Sequence, residues 1–242
     1  MNFVILLCAG ESKRFNSSTK KQYTDIKGKA LYRYSLDTFL NNEDINNIFI
    51  VFDEKNLKFE KEKLLNDNNI VNKNKLHFVI GGSERFYSVY NALKNIEKKV
   101  NDGFFQNIKR EDIKILIHDS ARMFIHNDDI NNARVKLKEV KALTLAKKCI
   151  DTIKYAKETN GVLEIKKTID RNNLYAIQTP QCFDYNLIMD IYDKFMKDLK
   201  ENPKIKYTIT DDCILVEKYS NEKVFIIESL HKNDKITFIS DL

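Results

Sequence analysis

Short apolar runs alternate along the chain with longer amphipathic segments, and this alternation predicts the fold. Four such runs stand at residues 3–8, 48–52, 76–80 and 113–117. Each is far shorter than the ~20 apolar residues of a membrane span and is typical of a strand buried on both faces. The sequence therefore predicts four parallel β-strands in the first half of the chain.

The segments between these runs carry helical periodicity. The first predicted helix follows from apolar residues at Leu31, Tyr34, Leu36, Phe39 and Leu40, and two more are predicted at about 56–65 and 86–96. A polar loop is predicted from Lys98 to Asp112. Strand, loop and helix in repeated order predict an α/β fold with a mostly parallel, doubly wound sheet. In such sheets ligands bind at the carboxyl ends of the strands.

The segment that follows the first strand has the composition of a phosphate-binding loop. Small residues at Ala9 and Gly10 allow backbone N–H groups to approach an anion, and Arg14 and Lys21 supply positive charge. The alternative is an ordinary strand-to-helix turn with solvated lysines. The loop is not a Walker A motif, because no Gly-Lys-Ser/Thr follows at the required spacing.

Two further strand ends carry residues of similar chemistry. Gly81 and Gly82 permit close backbone approach, and Ser83 is placed to cap the helix that follows. Asp119 and Arg122 follow the fourth strand and combine a carboxylate for a metal or sugar hydroxyls with a cation for phosphate. A salt bridge is the alternative for this pair. The recurrence of such residues on successive strand ends favours a nucleotide or phosphate site.

The middle of the chain predicts a β-hairpin. Short alternating segments flank Asn160-Gly161, a dipeptide typical of a two-residue hairpin turn. The alternative is a simple surface hairpin on a monomeric protein.

Composition narrows the class of protein. The chain has 242 residues, a net charge of +6 and a pI near 8.9, which suit either nucleic acid or a small anionic substrate. Its lysines are scattered, which weakens the nucleic-acid hypothesis. Four widely spaced cysteines indicate reduced thiols. We expect one domain over residues 1–242, in the cytoplasm, with no membrane partner.

Nine blocks of residues, in order, carry a resemblance to a known family. The chain resembles the 2-C-methyl-D-erythritol 4-phosphate cytidylyltransferases through Ala9-Gly10-x-x-x-Arg14, Lys21-Gln22-Tyr23, Gly81-Gly82-x-x-Arg85-x-x-Ser88-Val89, His118-Asp119-x-Ala121-Arg122, Asp151-Thr152-Ile153-Lys154, Asp170-Arg171-x-x-Leu174, Gln178-Thr179-Pro180-Gln181-x-Phe183, Thr210-Asp211-Asp212 and Asn233-x-Lys235-Ile236-Thr237. Relatives that act on ribitol 5-phosphate share most of these blocks, so ribitol 5-phosphate is the alternative substrate.

The resemblance implies a fold, a reaction and a partner. The fold is that of a Rossmann-like nucleotidyltransferase with a protruding β-hairpin arm, here at about residues 150–172, that reaches over a second subunit to form a homodimer. The reaction transfers a cytidylyl group from CTP to 2-C-methyl-D-erythritol 4-phosphate with Mg²⁺ and releases pyrophosphate, in non-mevalonate isoprenoid biosynthesis. A basic nucleic-acid-binding module remains a remote alternative, supported only by the pI.

The resemblance also implies roles for individual residues. The implied catalytic residues are Arg14, Lys21 and Lys235. The implied CTP-binding residues are Cys8, Ala9, Gly10, Ser12, Gly82, Ser83, Ser88 and Asp119. The implied substrate-binding residues are Asp119, Arg122, Thr152, Arg171 and Thr210, and Asp119 is also the candidate metal ligand.

The chain departs from the family pattern at a few positions. Ser12 stands where the family usually has glycine, so the loop loses a residue that freely takes positive φ, and a different backbone path is expected there. Met123 replaces the usual proline, and Ser120 replaces a common alanine. None of these changes removes a charged catalytic position.

Overall fold

A seven-stranded sheet forms the centre of the computed structural model, which describes residues 1–12, 15, 19–106 and 108–241. The strands and α-helices are, in chain order, β1 (Asn2–Cys8), β2 (Asp25–Ile26), β3 (Lys29–Ala30), α1 (Leu31–Leu40), β4 (Ile45–Phe52), α2 (Glu54–Asn66), β5 (Leu76–Ile80), α3 (Arg85–Asn101), β6 (Lys114–Asp119), α4 (Asn127–Lys136), β7 (Ala142–Lys148), β8 (Ile153–Thr159), β9 (Val162–Ile169), β10 (Tyr175–Asp184), α5 (Tyr185–Glu201), α6 (Cys213–Tyr219) and β11 (Phe225–Glu228). Short 3-10 helices lie between several of them, one at Lys21–Tyr23 and one at Pro203–Thr208.

The strand order confirms the predicted mostly parallel sheet. The order across the sheet is β11-β7-β10-β6-β1-β4-β5. β1 pairs in parallel with β4 and β6, β4 with β5, and β7 with β11, whereas β10 runs antiparallel to both of its neighbours. The four predicted strands are β1, β4, β5 and β6, which lie side by side. Their carboxyl ends therefore meet at one edge.

The sheet is covered on both faces because its central strand is apolar on both. Along β1, Phe3 and Ile5 pack in one cluster with residues of α3, α5 and α6, and Val4 and Leu6 pack in a second cluster with residues of α1, α2 and α4. Alternate side chains of a strand point to opposite faces, so an unbroken apolar run serves two layers of helices. No helix within the described ranges is apolar and long enough to cross a membrane.

Two local predictions were wrong. α3 continues to Asn101, so residues 98–101 are helical rather than part of the predicted polar loop. Val100, Phe105 and Ile108 pack against the core, and this tertiary contact outweighs the polar composition of the segment. Glu84, not Ser83, occupies the N-cap of α3, and no side chain caps this helix.

The predicted hairpin is present at β8 and β9. These strands pair antiparallel with each other in a separate two-stranded sheet. Asn160 and Gly161 join them with φ values of 53° and 78°, the two positive angles that a type I′ turn requires. Val162, Leu163 and Ile165 expose 68%, 73% and 61% of their surface. The hairpin is thus confirmed, and its role in dimerisation stays a prediction.

Candidate active site

A cavity of about 390 Å³ lies at the carboxyl edge of the sheet. Its walls come from the residues that follow β1, β5 and β6 and from the segment after β11. Nine of the predicted site residues line it: Ala9, Gly10, Ser12, Lys21, Gly82, Ser83, Ser88, Asp119 and Lys235. The parallel sheet thus brings together side chains that are more than 200 positions apart in the sequence.

Asp119, at the end of β6, is the electrostatic centre of the cavity. Its Oδ1 lies 3.1 Å from Nε of Arg85, and its Oδ2 lies 2.6 Å from Nζ of Lys235. Burial alone would raise the pKa of this carboxyl, but Arg85 and Lys235 hold it well below its usual range. Asp119 is therefore ionised at neutral pH and orients two cations of the cavity.

Arg85 connects three elements at once. Besides Asp119, its Nη2 lies 2.8 Å from Oδ2 of Asp212, just before α6. Asp212 is itself fully buried and accepts a hydrogen bond of 2.5 Å from the Tyr192 hydroxyl, and its backbone N–H donates to Gln181. Burial would lower the pKa of the Arg85 guanidinium, but the two carboxylates raise it well above its ordinary value. Arg85 is thus a permanently charged link between α3, β6 and α6.

The loop after β1 is fixed by a glutamine. Nε2 of Gln22 donates to the carbonyl oxygens of Cys8 and Gly10 at 2.8 and 2.9 Å, which fixes the end of β1. Nζ of Lys21 donates to the carbonyl of Ile236 at 2.7 Å, so this ammonium lies against the segment that carries Lys235. The two predicted catalytic lysines therefore reach the same cavity from opposite ends of the chain.

Ser12 takes the backbone conformation that glycine would take. Its φ is 55°, in the left-handed region that costs a non-glycine residue energy. The hydroxyl donates to Oε1 of Gln22 at 2.9 Å and accepts from the backbone N–H of Lys21 at 3.0 Å. These two hydrogen bonds offset the strain, and the expected change of backbone path relative to the family stays a prediction. Arg14 lies outside the described residues.

The glycine pair after β5 is required by packing. A Cβ on Gly81 would lie 2.5 Å from Cβ of Ala9, and one on Gly82 would lie 2.3 Å from Cβ of Tyr87. The Gly82 N–H donates to Oγ of Ser88 at 3.1 Å. Gly81 therefore lets the loop after β5 approach the loop after β1, and Gly82 leaves room for the side chain of Tyr87 in α3.

The remaining predicted site residues that the structure describes do not line the cavity. Cys8 is 1% exposed, burial raises the pKa of its thiol, and its carbonyl is bound by Gln22. The Arg122 guanidinium donates to the carbonyl oxygens of Asn233 and Ile177, at 2.9 and 3.1 Å. Three others are exposed: Thr152 and Arg171, at the base of the hairpin, and Thr210, before α6. Their roles in substrate binding stay predictions.

Sequence reasoning missed the supporting roles of several residues. Arg85, Gln22 and Asn233 stand in the quoted blocks, yet none was singled out as a site residue. Arg85 pairs with Asp119, Gln22 shapes the first loop, and Nδ2 of Asn233 donates to the carbonyl of Thr179 at 2.8 Å. Their presence in the blocks was a signal, but sequence alone does not show which groups pair.

His118 supports the backbone of Asp119 through the hydroxyl of Thr179. Its Nδ1 lies 3.0 Å from Oγ1 of Thr179 and its Nε2 lies 3.0 Å from the carbonyl of Arg122. Oγ1 of Thr179 in turn accepts from the backbone N–H of Asp119 at 3.2 Å. Burial lowers the pKa of His118 to about 4. The imidazole is therefore neutral at pH 7, and its Nε2–H donates to the carbonyl.

Comparison with known proteins places these features in a family. The sequence profile described as IspD, 2-C-methyl-D-erythritol 4-phosphate cytidylyltransferase, matches residues 2–242. A protein of that name from Clostridium botulinum (strain 657 / Type Ba4) is 34% identical over 241 residues, covering 100% of this chain and 94% of the relative. One from Clostridium beijerinckii (strain ATCC 51743 / NCIMB 8052) is 37% identical over 238 residues, covering 98% and 93%.

A solved structure agrees with these sequence matches. The crystal structure of 4-diphosphocytidyl-2C-methyl-D-erythritol synthase from Anaerococcus prevotii DSM 20548 superposes with a TM-score of 0.76 at 25% identity. The match covers 99% of this chain and 92% of that one. The match therefore extends over nearly the whole chain.

The buried histidines predict how stability depends on pH. Burial lowers the pKa of His118, and of His77, to about 4 from 6.5. Below pH 6.5 the unfolded chain therefore binds protons that the folded chain does not, and the free energy of unfolding falls as the pH drops towards 4. Each histidine accounts for up to about 3 kcal/mol of this fall. Urea unfolding of wild type and of His118→Gln between these pH values should give a shallower fall for the variant.

His77→Gln is the matched control for this prediction. His77 stacks on Phe49, and its Nε2 lies 2.8 Å from Asn47, within β4 and β5. His77→Gln should flatten the pH dependence of stability in the same way and leave turnover near normal, whereas His118→Gln should also lower turnover. An unchanged slope in both variants would contradict the buried, neutral state of these histidines.

Proposed function

The chain belongs to the 2-C-methyl-D-erythritol 4-phosphate cytidylyltransferase family, and we propose that it transfers a cytidylyl group from CTP to 2-C-methyl-D-erythritol 4-phosphate. The products are 4-diphosphocytidyl-2-C-methyl-D-erythritol, an intermediate of isoprenoid biosynthesis, and pyrophosphate. The observation that carries this proposal is the cavity at the carboxyl edge of the sheet, where Lys21, Arg85 and Lys235 converge.

The chemistry of the attacking group explains why cations dominate the site. A phosphate monoester has a second pKa of about 6, so at neutral pH it is largely a dianion and needs no strong general base. One of its oxygens forms a bond to the α-phosphorus of CTP. The bond from that phosphorus to the oxygen that bridges the α- and β-phosphorus atoms breaks. The electron pair leaves with pyrophosphate. The reaction therefore brings two anions together. Catalysis comes from neutralising their negative charge and from aligning the attacking oxygen in line with the leaving group at the α-phosphorus.

Lys21 and Lys235 are the proposed catalytic groups, together with Arg14. Nζ of Lys21 lies beside the carbonyl of Ile236, and Nζ of Lys235 lies beside Asp119, so both are held in defined positions before substrate binds. Fixed charges of this kind need little reorganisation when negative charge develops at the α-phosphorus. Arg85, held by Asp119 and Asp212, adds a third positive charge to the wall.

The nucleoside is proposed to bind between the loop after β1 and the loop after β5. Ala9, Gly10, Gly82, Ser83 and Ser88 line this part of the cavity. Backbone N–H and carbonyl groups in such loops can bind the edge of a base by hydrogen bonds. Gly81 allows the two loops to approach as closely as they do. Ser12 and Asp119 line the same cavity. In this proposal they lie near the phosphates of CTP.

Asp119 fits the proposed role of Mg²⁺ ligand. Mg²⁺ is usually held by one or two carboxylates and by substrate phosphates, and Asp119 is an ionised carboxylate on the cavity wall. When bound, the ion would neutralise charge on the triphosphate.

We further propose that the β8–β9 hairpin forms a homodimer. Its apolar side chains Val162, Leu163 and Ile165 are more than half exposed in the single chain. A two-stranded hairpin is marginally stable alone in water, so a second subunit is the natural cover for this surface. Thr152 and Arg171, at the base of the hairpin, are then placed to bind the polyol phosphate in the partner's site, and Arg122 and Thr210 in their own.

The proposed reaction predicts a specific requirement for both substrates. With CTP and Mg²⁺, the protein should release pyrophosphate only when 2-C-methyl-D-erythritol 4-phosphate is present, and CTP should be preferred to ATP, GTP and UTP. A coupled pyrophosphate assay over a panel of polyol phosphates makes the measurement. Faster turnover with ribitol 5-phosphate would overturn the substrate and leave the reaction class standing.

The proposed catalytic lysines predict a loss of turnover without a loss of stability. Lys21→Ala and Lys235→Ala should each lower kcat by ~100-fold or more, because each removes a charge that stabilises the transition state. Thermal unfolding should barely change. Lys138→Ala, an exposed lysine between α4 and β7, is the matched control and should leave kcat unchanged. A lysine variant with near-normal kcat would remove that lysine from the catalytic set.

The proposed dimer predicts complementation between subunits. Arg171→Ala and Lys21→Ala proteins should each be nearly inactive alone. In mixed dimers, isolated through different tags on the two chains, one site combines wild-type Lys21 with wild-type Arg171, and the other carries both substitutions. Activity should return to roughly half of wild type, by the two-fold symmetry of the interface. Mixed dimers without activity would place Arg171 in its own subunit's site or outside catalysis.

A further inference from the structure

Three side chains from two distant parts of the sequence meet on the surface beside the start of α4. They are His126, Asp128 and His231, and their ligand atoms all lie within 4.8 Å of one another. Oδ2 of Asp128 lies 3.2 Å from Nδ1 of His126 and 2.9 Å from Nε2 of His231. The two imidazole rings are 3.9 Å apart between centroids. Among the described residues, no other group of three His, Cys, Asp or Glu side chains comes this close.

The spacing matches what a tetrahedral metal site requires. Zinc binds histidine nitrogen and carboxylate oxygen at about 2.0–2.2 Å, which places neighbouring ligand atoms about 3.3 Å apart. Two of the three edges here measure 3.2 and 2.9 Å. Two of the three distances are thus already close to those of a tetrahedral site, and the third is at most 4.8 Å.

The ligand set selects the class of metal. Two imidazoles and one carboxylate suit Zn²⁺, Co²⁺ or Ni²⁺, whereas Mg²⁺ prefers oxygen ligands alone. All three side chains are about half exposed, with 52%, 57% and 41% of their surface accessible, so an ion can enter from solvent. The fourth position remains for water.

We propose that His126, Asp128 and His231 form a site for a divalent transition metal ion of the Zn²⁺ class, separate from the substrate cavity. The ion would join the start of α4 to the segment after β11. That segment is already held at Leu230, whose N–H donates to Oδ1 of buried Asp129 at 2.7 Å, and it continues to Lys235. The site therefore tightens the segment that carries Lys235. The proposed function matters only for the importance of Lys235. Metal binding at this site does not depend on it.

Spectroscopy with Co²⁺ tests the site without using enzyme activity. The full chain is titrated with Co²⁺ at pH 7.5, with reductant and an excess of Mg²⁺ to occupy oxygen sites. One equivalent should give the intense visible bands of a four-coordinate ion, and Zn²⁺ should displace it. Asp128→Asn and His231→Gln should each weaken binding by at least ~10-fold, the cost of disturbing even an outer-shell partner.

Matched variants separate this site from other metal-binding groups. The variants Asp102→Asn and Cys149→Ser should both bind the metal as wild type does. Asp102 is an exposed aspartate just after α3, and Cys149 is half-buried, whereas the other three cysteines are buried. Asp128→Asn folds if its thermal midpoint without metal equals that of wild type. Added Zn²⁺ at 100-fold over the wild-type Kd should raise the midpoint of wild type by roughly 5–10 °C and that of Asp128→Asn by at most about half as much.

The outcomes are distinct. Stoichiometric binding that is lost in Asp128→Asn and His231→Gln, together with slower hydrogen exchange in residues 229–237 on adding Zn²⁺, supports the site and its effect on the segment. Binding that persists in both variants, or is lost in Cys149→Ser, overturns the site. Binding without slower exchange overturns the tightening of the segment. Failure of the cytidylyltransferase assay would affect none of these measurements, so the two proposals can fail independently.

Discussion

One carboxylate, that of Asp119, sets the arrangement of the cavity. It is 14% exposed and lies between Arg85 of α3 and Lys235 of the segment after β11. A buried charge is costly unless it is paired, and Asp119 has two cationic partners, so that loss of one still leaves it paired. Asp119 therefore fixes two cations that would otherwise repel each other, and it does so at the point where β6 meets the cavity.

The segment after β11 becomes a wall of the cavity through a series of hydrogen bonds to backbone carbonyl groups. The Arg122 guanidinium holds the carbonyl of Asn233, the Asn233 amide holds the carbonyl of Thr179, and the N–H of Ile236 donates to Ala121 at 2.9 Å. Lys21 completes the connection from the first loop to the carbonyl of Ile236. Arg122 thus has a structural task in this chain, beside the phosphate-binding role proposed for it.

Much of this fold follows from the sequence because its signals are local. The apolar runs predicted β1, β4, β5 and β6, and the Asn160-Gly161 pair predicted the hairpin. What the sequence did not predict depends on contacts between distant residues. Core packing of Val100 extends α3 beyond its predicted end, and the hydrogen bonds of Ser12 hold a conformation expected of glycine. The pairing of Arg85 with both Asp119 and Asp212 arises only when α3, β6 and α6 meet.

The most direct test of the central claim is a double-mutant cycle on kcat/KM with Asp119→Asn, Lys235→Ala and the double variant. If Asp119 acts mainly by holding the cations in place, the double variant should lose little more activity than the worse of the two single variants, because the same arrangement is lost in each. Losses that multiply, so that the double variant falls by the product of the single effects, would show that Asp119 and Lys235 act independently and would contradict the account.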